Sequence, residues 1–137
     1  MSFLKEKSEL NKTAAEFLSN NGHKLSVVHC AYYSCFQLLN FKFISVYGRN
    51  LKGEYDLYKK KNPESKAGSH DFAINEATND LRKRFNYSEA QKFRDNMQGL
   101  KKLRHEADYG DIAIKLDYNT KSLILLNTIE LVLNKIK

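Results

Sequence analysis

"LSVVHCAYYSCFQLLNFKFISVY", Leu25 to Tyr47, decides the fold class. Leu25, Val28, Tyr32, Cys35, Phe36, Leu39, Phe43 and Tyr47 recur at steps of three and four, which is one stripe of an α-helix. Val27, Ala31 and Leu38 add a second apolar face. A helix apolar over this much of its circumference belongs at the centre of a domain, and Gly48 ends it.

The same spacing extends in both directions. Upstream, Leu10, Ala14 and Phe17 share a face, with Phe3 two turns earlier, and Asn20-Asn21-Gly22 is the stop. This face is expected to point inward, although Lys7 interrupts it. Downstream, residues 49 to 68 lose the period. Their segment "KKKNPESKAGS" is charged and holds the only proline, so the reading is a long mobile connection. Ser69 is the expected cap of a third helix with Ile74, Ala77, Leu81 and Phe85 inward. Ser88 is the expected cap of a fourth, with Phe93, Met97, Leu100 and Ala107 inward. "YGDIAIKLDYN" interrupts at Gly110, and Asn119 or Thr120 opens a last helix bearing Leu125, Ile129, Val132 and Ile136. The expected architecture is a single all-α domain over residues 1 to 137, an up-and-down antiparallel bundle of about five helices.

Composition agrees with that class. Among 137 residues 42% are hydrophobic and 28% charged, as in a globular domain, and six glycines with one proline are too few for a turn-rich β fold. The formal charge of +7 suits an anionic partner such as RNA, and equally suits a lysine-rich surface that only keeps the protein in solution. Cys30 and Cys35 point about 140° apart on a helix, so they read as small apolar core residues of a protein in a reducing compartment. "MSFLKEKSEL" has no apolar leader, and no window resembles a membrane span, so the expected location is cytoplasmic, away from membranes. P-loop, G-x-G-x-x-G, G-x-S-x-G and H-E-x-x-H motifs are lacking.

The polar residues that break their stripes concentrate in "KKLRHEADYGD", Lys101 to Asp111. The stripe 93, 97, 100, 107 passes through Arg104, a charge that must be paired or face a wet cleft. Asp108, one turn on, is within reach. Three readings stand: an ion pair that fixes the helix end, an arginine that meets an anion, or packing of the side-chain stem alone. His70 would extend the inward stripe of the third helix, as a cleft imidazole or as a capping residue beside solvent. His29 on the edge of the central stripe reads as a satisfied core histidine. Of Tyr32 and Tyr33 at least one should be core, its hydroxyl seeking a buried partner. Arg82 and Arg84, with Lys101 and Lys102, are candidate phosphate contacts if they converge with Arg104, and otherwise a solvated surface. His105 and Asp108 are too few for a zinc set, so neither metal nor cofactor is expected.

Three of these segments, in order, resemble the HEPN-domain superfamily. "HCAYYSCFQLLNF" is similar to its A-Y-Y-x-x-F segment, and "LRHEADYGD" to the R-x-x-A-D-Y stretch of an uncharacterised branch. "SHDF" lies between them, where that branch often has a histidine opening a helix. The resemblance implies a helical bundle, commonly a homodimer whose site is often built from both subunits. It implies a metal-independent ribonuclease acting on RNA, as the toxin of a toxin–antitoxin or defence pair. Its alternative is a non-catalytic module that binds a nucleotide or a nucleotidyltransferase partner. In the ribonucleases an arginine that holds phosphate is followed, after four to six residues, by a histidine that moves protons. Here Arg104 matches the arginine, and Tyr109 stands where the histidine would be. The expected site is therefore Arg104, Asp108 and Tyr109, with His70 supplying the imidazole from another helix.

Overall fold

The computed structural model describes residues 3–109 and 117–137. Among them the chain is all-helical: α1 (Leu4–Asn20), α2 (Lys24–Tyr47), α3 (Leu51–Lys61), α4 (Ser69–Arg84), α5 (Tyr87–Tyr109) and α6 (Tyr118–Leu133). The expected break at Gly110 lies outside the described residues, as does the side chain of Tyr109.

α2 is the axis. Val27, Val28, Ala31, Tyr32, Cys35, Leu39 and Phe43 are all buried, and α1, α5 and α6 pack around it. It ends where Gly48 turns left-handed (φ 64°) and the next amide bonds back to the Phe43 carbonyl at 2.9 Å, a closure that a Cβ would strain. Directions alternate. Gly99 lies against Leu125 and Glu89 pairs with Lys135, so α5 and α6 run antiparallel. Asp71 with Lys101 and Asn75 with Arg94 show the same for α4 and α5. The core between them holds Ile74, Leu81, Phe93, Met97, Leu100, Leu126 and Ile129.

Two expectations are corrected. Residues 51 to 61 are not a mobile connection but a sixth helix. Asn50 caps it, its side chain accepting from the Gly53 amide at 3.1 Å, and Leu51 is buried at its start. Arg49 ties it down, reaching Glu54 of α3 at 2.5 Å and Glu76 and Asp80 of α4 at 3.2 and 3.3 Å. Lysines in the last turn suit the negative end of the helix dipole, and they masked the helix to a reading by hydrophobic period.

The second correction concerns α1. Phe3, Leu10 and Phe17 point outward, 62%, 63% and 64% exposed. The inward face is Ser8 and Ala15. Ser8 donates to the Ser34 carbonyl at 2.7 Å while Ser34 donates to the Ser8 carbonyl at 2.8 Å. Small residues let α1 lie close on α2, and paired hydroxyls meet each other's polar demand, so a face with little apolar surface is buried. Smaller differences occur at caps. Phe85 is exposed beyond the end of α4, and Asn86 rather than Ser88 accepts from the Glu89 amide at 2.8 Å.

Candidate functional site

On α2 the residues His29, Tyr32, Tyr33 and Phe36 fall on one side, at steps of three and four. That side meets the first turn of α4, which presents His70 and Asp71, and the last turns of α5, which present Lys101, Arg104 and Asp108. The three helices converge on the tyrosine pair. The Tyr32 hydroxyl is 2.7 Å from His70 Nδ1, and the Arg104 guanidinium carbon lies 5.3 Å from each of the Tyr32 and Tyr33 ring centres. The His70 ring packs on Phe36 with centroids 4.3 Å apart.

Tyr32 is fully buried, and burial pushes its phenol well above the ordinary tyrosine range. It is a protonated donor, and His70 Nδ1 is its hydrogen-bond partner. If Nδ1 carried the proton, the buried phenol O–H would be left without an acceptor, a cost of about 1–3 kcal/mol. The economical arrangement has Tyr32 donating to Nδ1, so that the imidazole holds its proton on Nε2. Burial, and then the charges of Arg104 and Lys101, lower the His70 pKa, so the ring is neutral at physiological pH.

Arg104 is mostly covered, with 21% of its side chain exposed. Its Nε is 3.4 Å from Asp108 Oδ2, close enough for attraction but too poorly aligned for a hydrogen bond, and that buried Nε makes no other. Asp108 is shared: its Oδ2 is also 3.7 Å from His29 Nδ1. The ion-pair reading of Arg104 is met by its contact with Asp108. Arg104 has an intrahelical carboxylate, held loosely enough that a better-placed anion can compete.

A cleft of about 420 Å³ opens beside His70 between α2, α3 and α4. Tyr33, Phe36 and Tyr55 form aromatic walls, and Gln37 and Asn40 bring amides. Gln37 is oriented by Asn11, whose Nδ2 donates to its Oε1 at 2.8 Å.

The structure brings together Arg104, His70 and Asp108 from the expected site. Lys101 stands beside them but is neutralised by Asp71 at 2.5 Å, and Lys102 is exposed on the same turn. Arg82 and Arg84 do not join them. They lie at the far end of α4, about 18 Å or more from His70 at 1.5 Å per residue, with Arg84 over the Tyr47 ring and paired to Asp80. His29 is corrected: it is half exposed beside Asp108 and tilted on the Tyr33 ring at 4.8 Å, not a core residue. The residues that sequence reasoning missed are Tyr33 as a cleft wall and the whole contribution of α3. The signal for Tyr33 was its spacing to His29 and Phe36. Tyr55 carried none once its segment read as a connection.

Among the described residues no group of three or more His, Cys, Asp and Glu side chains is placed to hold a metal ion, and no helix is long and apolar enough to cross a membrane. Comparison of the chain with known protein families, curated proteins and solved structures finds no match.

Proposed function

We propose that this chain is an HEPN-like RNA-binding domain that holds single-stranded RNA at the Tyr33–His70–Arg104 corner and supports metal-independent cleavage there. The observation that carries the reading is the arrival of His70 and Arg104, from two different helices, on one tyrosine pair beside an open aromatic cleft. Arg104 would take a phosphate, exchanging its loose contact with Asp108 for a charge-assisted one. A base would stack on Tyr33 or Tyr55, as bases do on aromatic platforms of single-strand binders. His70, with its proton on Nε2, would donate to a non-bridging phosphate oxygen and stabilise charge as the ribose 2′-hydroxyl, its proton passing to water, attacks phosphorus and the bond to the 5′-oxygen breaks, that oxygen taking a proton from water. A homodimer, and a role as the toxin of a cytoplasmic toxin–antitoxin or defence pair, belong to the same proposal.

The test is a labelled single-stranded RNA incubated in chelator with wild type, Arg104→Ala and His70→Ala. The expected result is cleavage by wild type leaving a cyclic phosphate, with each variant slower by roughly 100-fold. Equal rates in all three would sink the cleavage reading.

A second reading has its own support. The tautomer that satisfies Tyr32 leaves Nε2 unable to accept a proton, which favours holding a nucleotide over cleaving RNA. A non-catalytic module that binds a nucleotide, or a nucleotidyltransferase partner, would show heat on titration with mononucleotides that Arg104→Ala abolishes. Binding without cleavage would select this reading.

A further inference from the structure

The polar lining of the cleft between α2, α3 and α4 is set by hydrogen bonds that begin on α1. Asn11 donates through one atom, Nδ2, to the Lys7 carbonyl at 3.1 Å and to Gln37 Oε1 at 2.8 Å. A backbone carbonyl only accepts, so the group that Asn11 directs there is its NH2, and the atom of Gln37 that meets it is the side-chain oxygen. The Gln37 NH2 is the end left for the cleft, and among the described residues it has no acceptor. On the α3 side of the cleft stand Tyr55 and Asp56. The Tyr55 hydroxyl donates to the Ala67 carbonyl at 3.1 Å, and its ring packs edge-on against Phe72 at 5.6 Å, so this wall is held in place. Asp56 is exposed, and among the described residues it has no hydrogen bond or ion pair, although Lys52 stands one turn earlier.

We propose that the cleft recognises guanine. The base stacks on the Tyr33 or Tyr55 ring, the Gln37 NH2 donates to its O6, and the Asp56 carboxylate accepts from its N1–H and its N2 amino group. The guanine is the base already proposed to stack in this cleft, so its recognition rests on that reading, and it holds alike for an RNA that is cleaved and a nucleotide that is only held.

The choice among bases follows from the donors and acceptors that the cleft presents. A carboxylate has two acceptor oxygens and no donor, so two adjacent N–H groups on one edge suit it best. Guanine alone of the four RNA bases carries such a pair, at N1 and N2, with the acceptor O6 on the other side of N1. Adenine sets its amino group beside a bare N1, and cytosine beside a bare N3, so each turns a lone pair toward the carboxylate. Uracil offers one N–H between two carbonyls, which repel it. Gln37 sharpens the contrast, because where guanine has O6 adenine has an amino group, a second donor facing the first. A site built to hydrogen-bond one edge leaves its own groups unpaired against any other, and this is what discriminates.

Titration of the full chain with the 5′-monophosphates of guanosine, inosine, adenosine, cytidine and uridine, followed in the Tyr33 and Tyr55 ring signals by NMR, tests this. The guanosine nucleotide should bind at least roughly tenfold more tightly than the other three natural ones, the ratio that one bidentate pair supports. The inosine nucleotide, which lacks the N2 amino group, should fall between those of guanosine and adenosine. Asp56→Asn, at an exposed position, should leave the circular dichroism spectrum unchanged and bring the guanosine-to-adenosine ratio close to one. Gln37→Glu keeps one oxygen for Asn11 and turns a second toward O6, and should lower the same ratio. Equal affinities for the four natural nucleotides would overturn guanine recognition and leave the base-binding cleft standing. A guanine preference that survives Asp56→Asn would overturn the assignment as well. Nucleotides that perturb neither ring would overturn both the recognition and the base-binding reading beneath it.

Discussion

At the scale of single residues, the site rests on which atom of His70 carries the proton. Tyr32→Phe removes the donor to Nδ1 and should cost about 1 kcal/mol of stability in urea unfolding. It should also shift His70 toward a tautomer mixture, visible in the ring nitrogen shifts by NMR. An unchanged tautomer would mean that Tyr32 does not set it, and an Nδ1–H ring in wild type would mean that Tyr32 accepts rather than donates. The lowered pKa of His70 has a signed consequence. Below its ordinary value, about 6.5, the unfolded chain takes up a proton that the folded chain still refuses. Stability contributed here is present above about pH 6.5 and declines as pH falls toward the lower folded pKa. Unfolding free energies at about pH 7.5 and 5.5 should differ less in His70→Gln than in wild type. Arg104 was legible in the sequence because a charge in an apolar stripe demands an explanation. His70 was legible as the same kind of misfit. That Tyr32 would join them was half legible, since a mid-helix tyrosine in a buried stripe needs a partner, but which partner depends on how α4 approaches α2.

At the scale of elements, α3 shows what hydrophobic period cannot read. A helix of eleven residues with Leu51 as its buried anchor has too few apolar positions to display a stripe. Its order comes from Asn50 at one end, lysines at the other, and the Arg49 bridge to α4. Asn50→Ala should cost about 1 kcal/mol, read as faster amide exchange confined to α3. Arg49→Met should leave Glu54, Glu76 and Asp80 facing one another without their shared cation. A drop in melting temperature that added salt partly reverses is expected; a salt-independent drop would point to lost packing over Phe43 instead. α1 failed in the opposite sense. Its stripe was visible, but periodicity reports that a helix has an apolar face, not which neighbour covers it. The side-chain hydroxyls of Ser8 and Ser34 decide that face, and hydroxyl pairing between helices leaves no mark in either helix alone.

At the scale of the molecule, the formal charge of +7 is distributed unevenly with respect to the cleft. Lys102 is exposed on the turn of Arg104, whereas Arg82 and Arg84 sit at the other end of α4. For a short RNA, Lys102→Ala should lower the salt dependence of binding by about one counterion, and Arg82→Ala should leave it unchanged. Equal effects would mean that the RNA spans both ends. The bundle itself followed from the central stripe of α2, because a helix buried nearly all round requires neighbours on every side. The identity of those neighbours carries a last consequence. Lys12 of the first helix is tied to Glu130 of the last, 118 residues later, and α6 packs extensively on α2. During synthesis α1 and α2 leave the ribosome as a hairpin, and the part of α2 that packs on α6 stays uncovered until α6 emerges. Nascent chains arrested before Tyr118 should therefore be cut readily by protease and held by chaperones, and the whole domain should close in one late step.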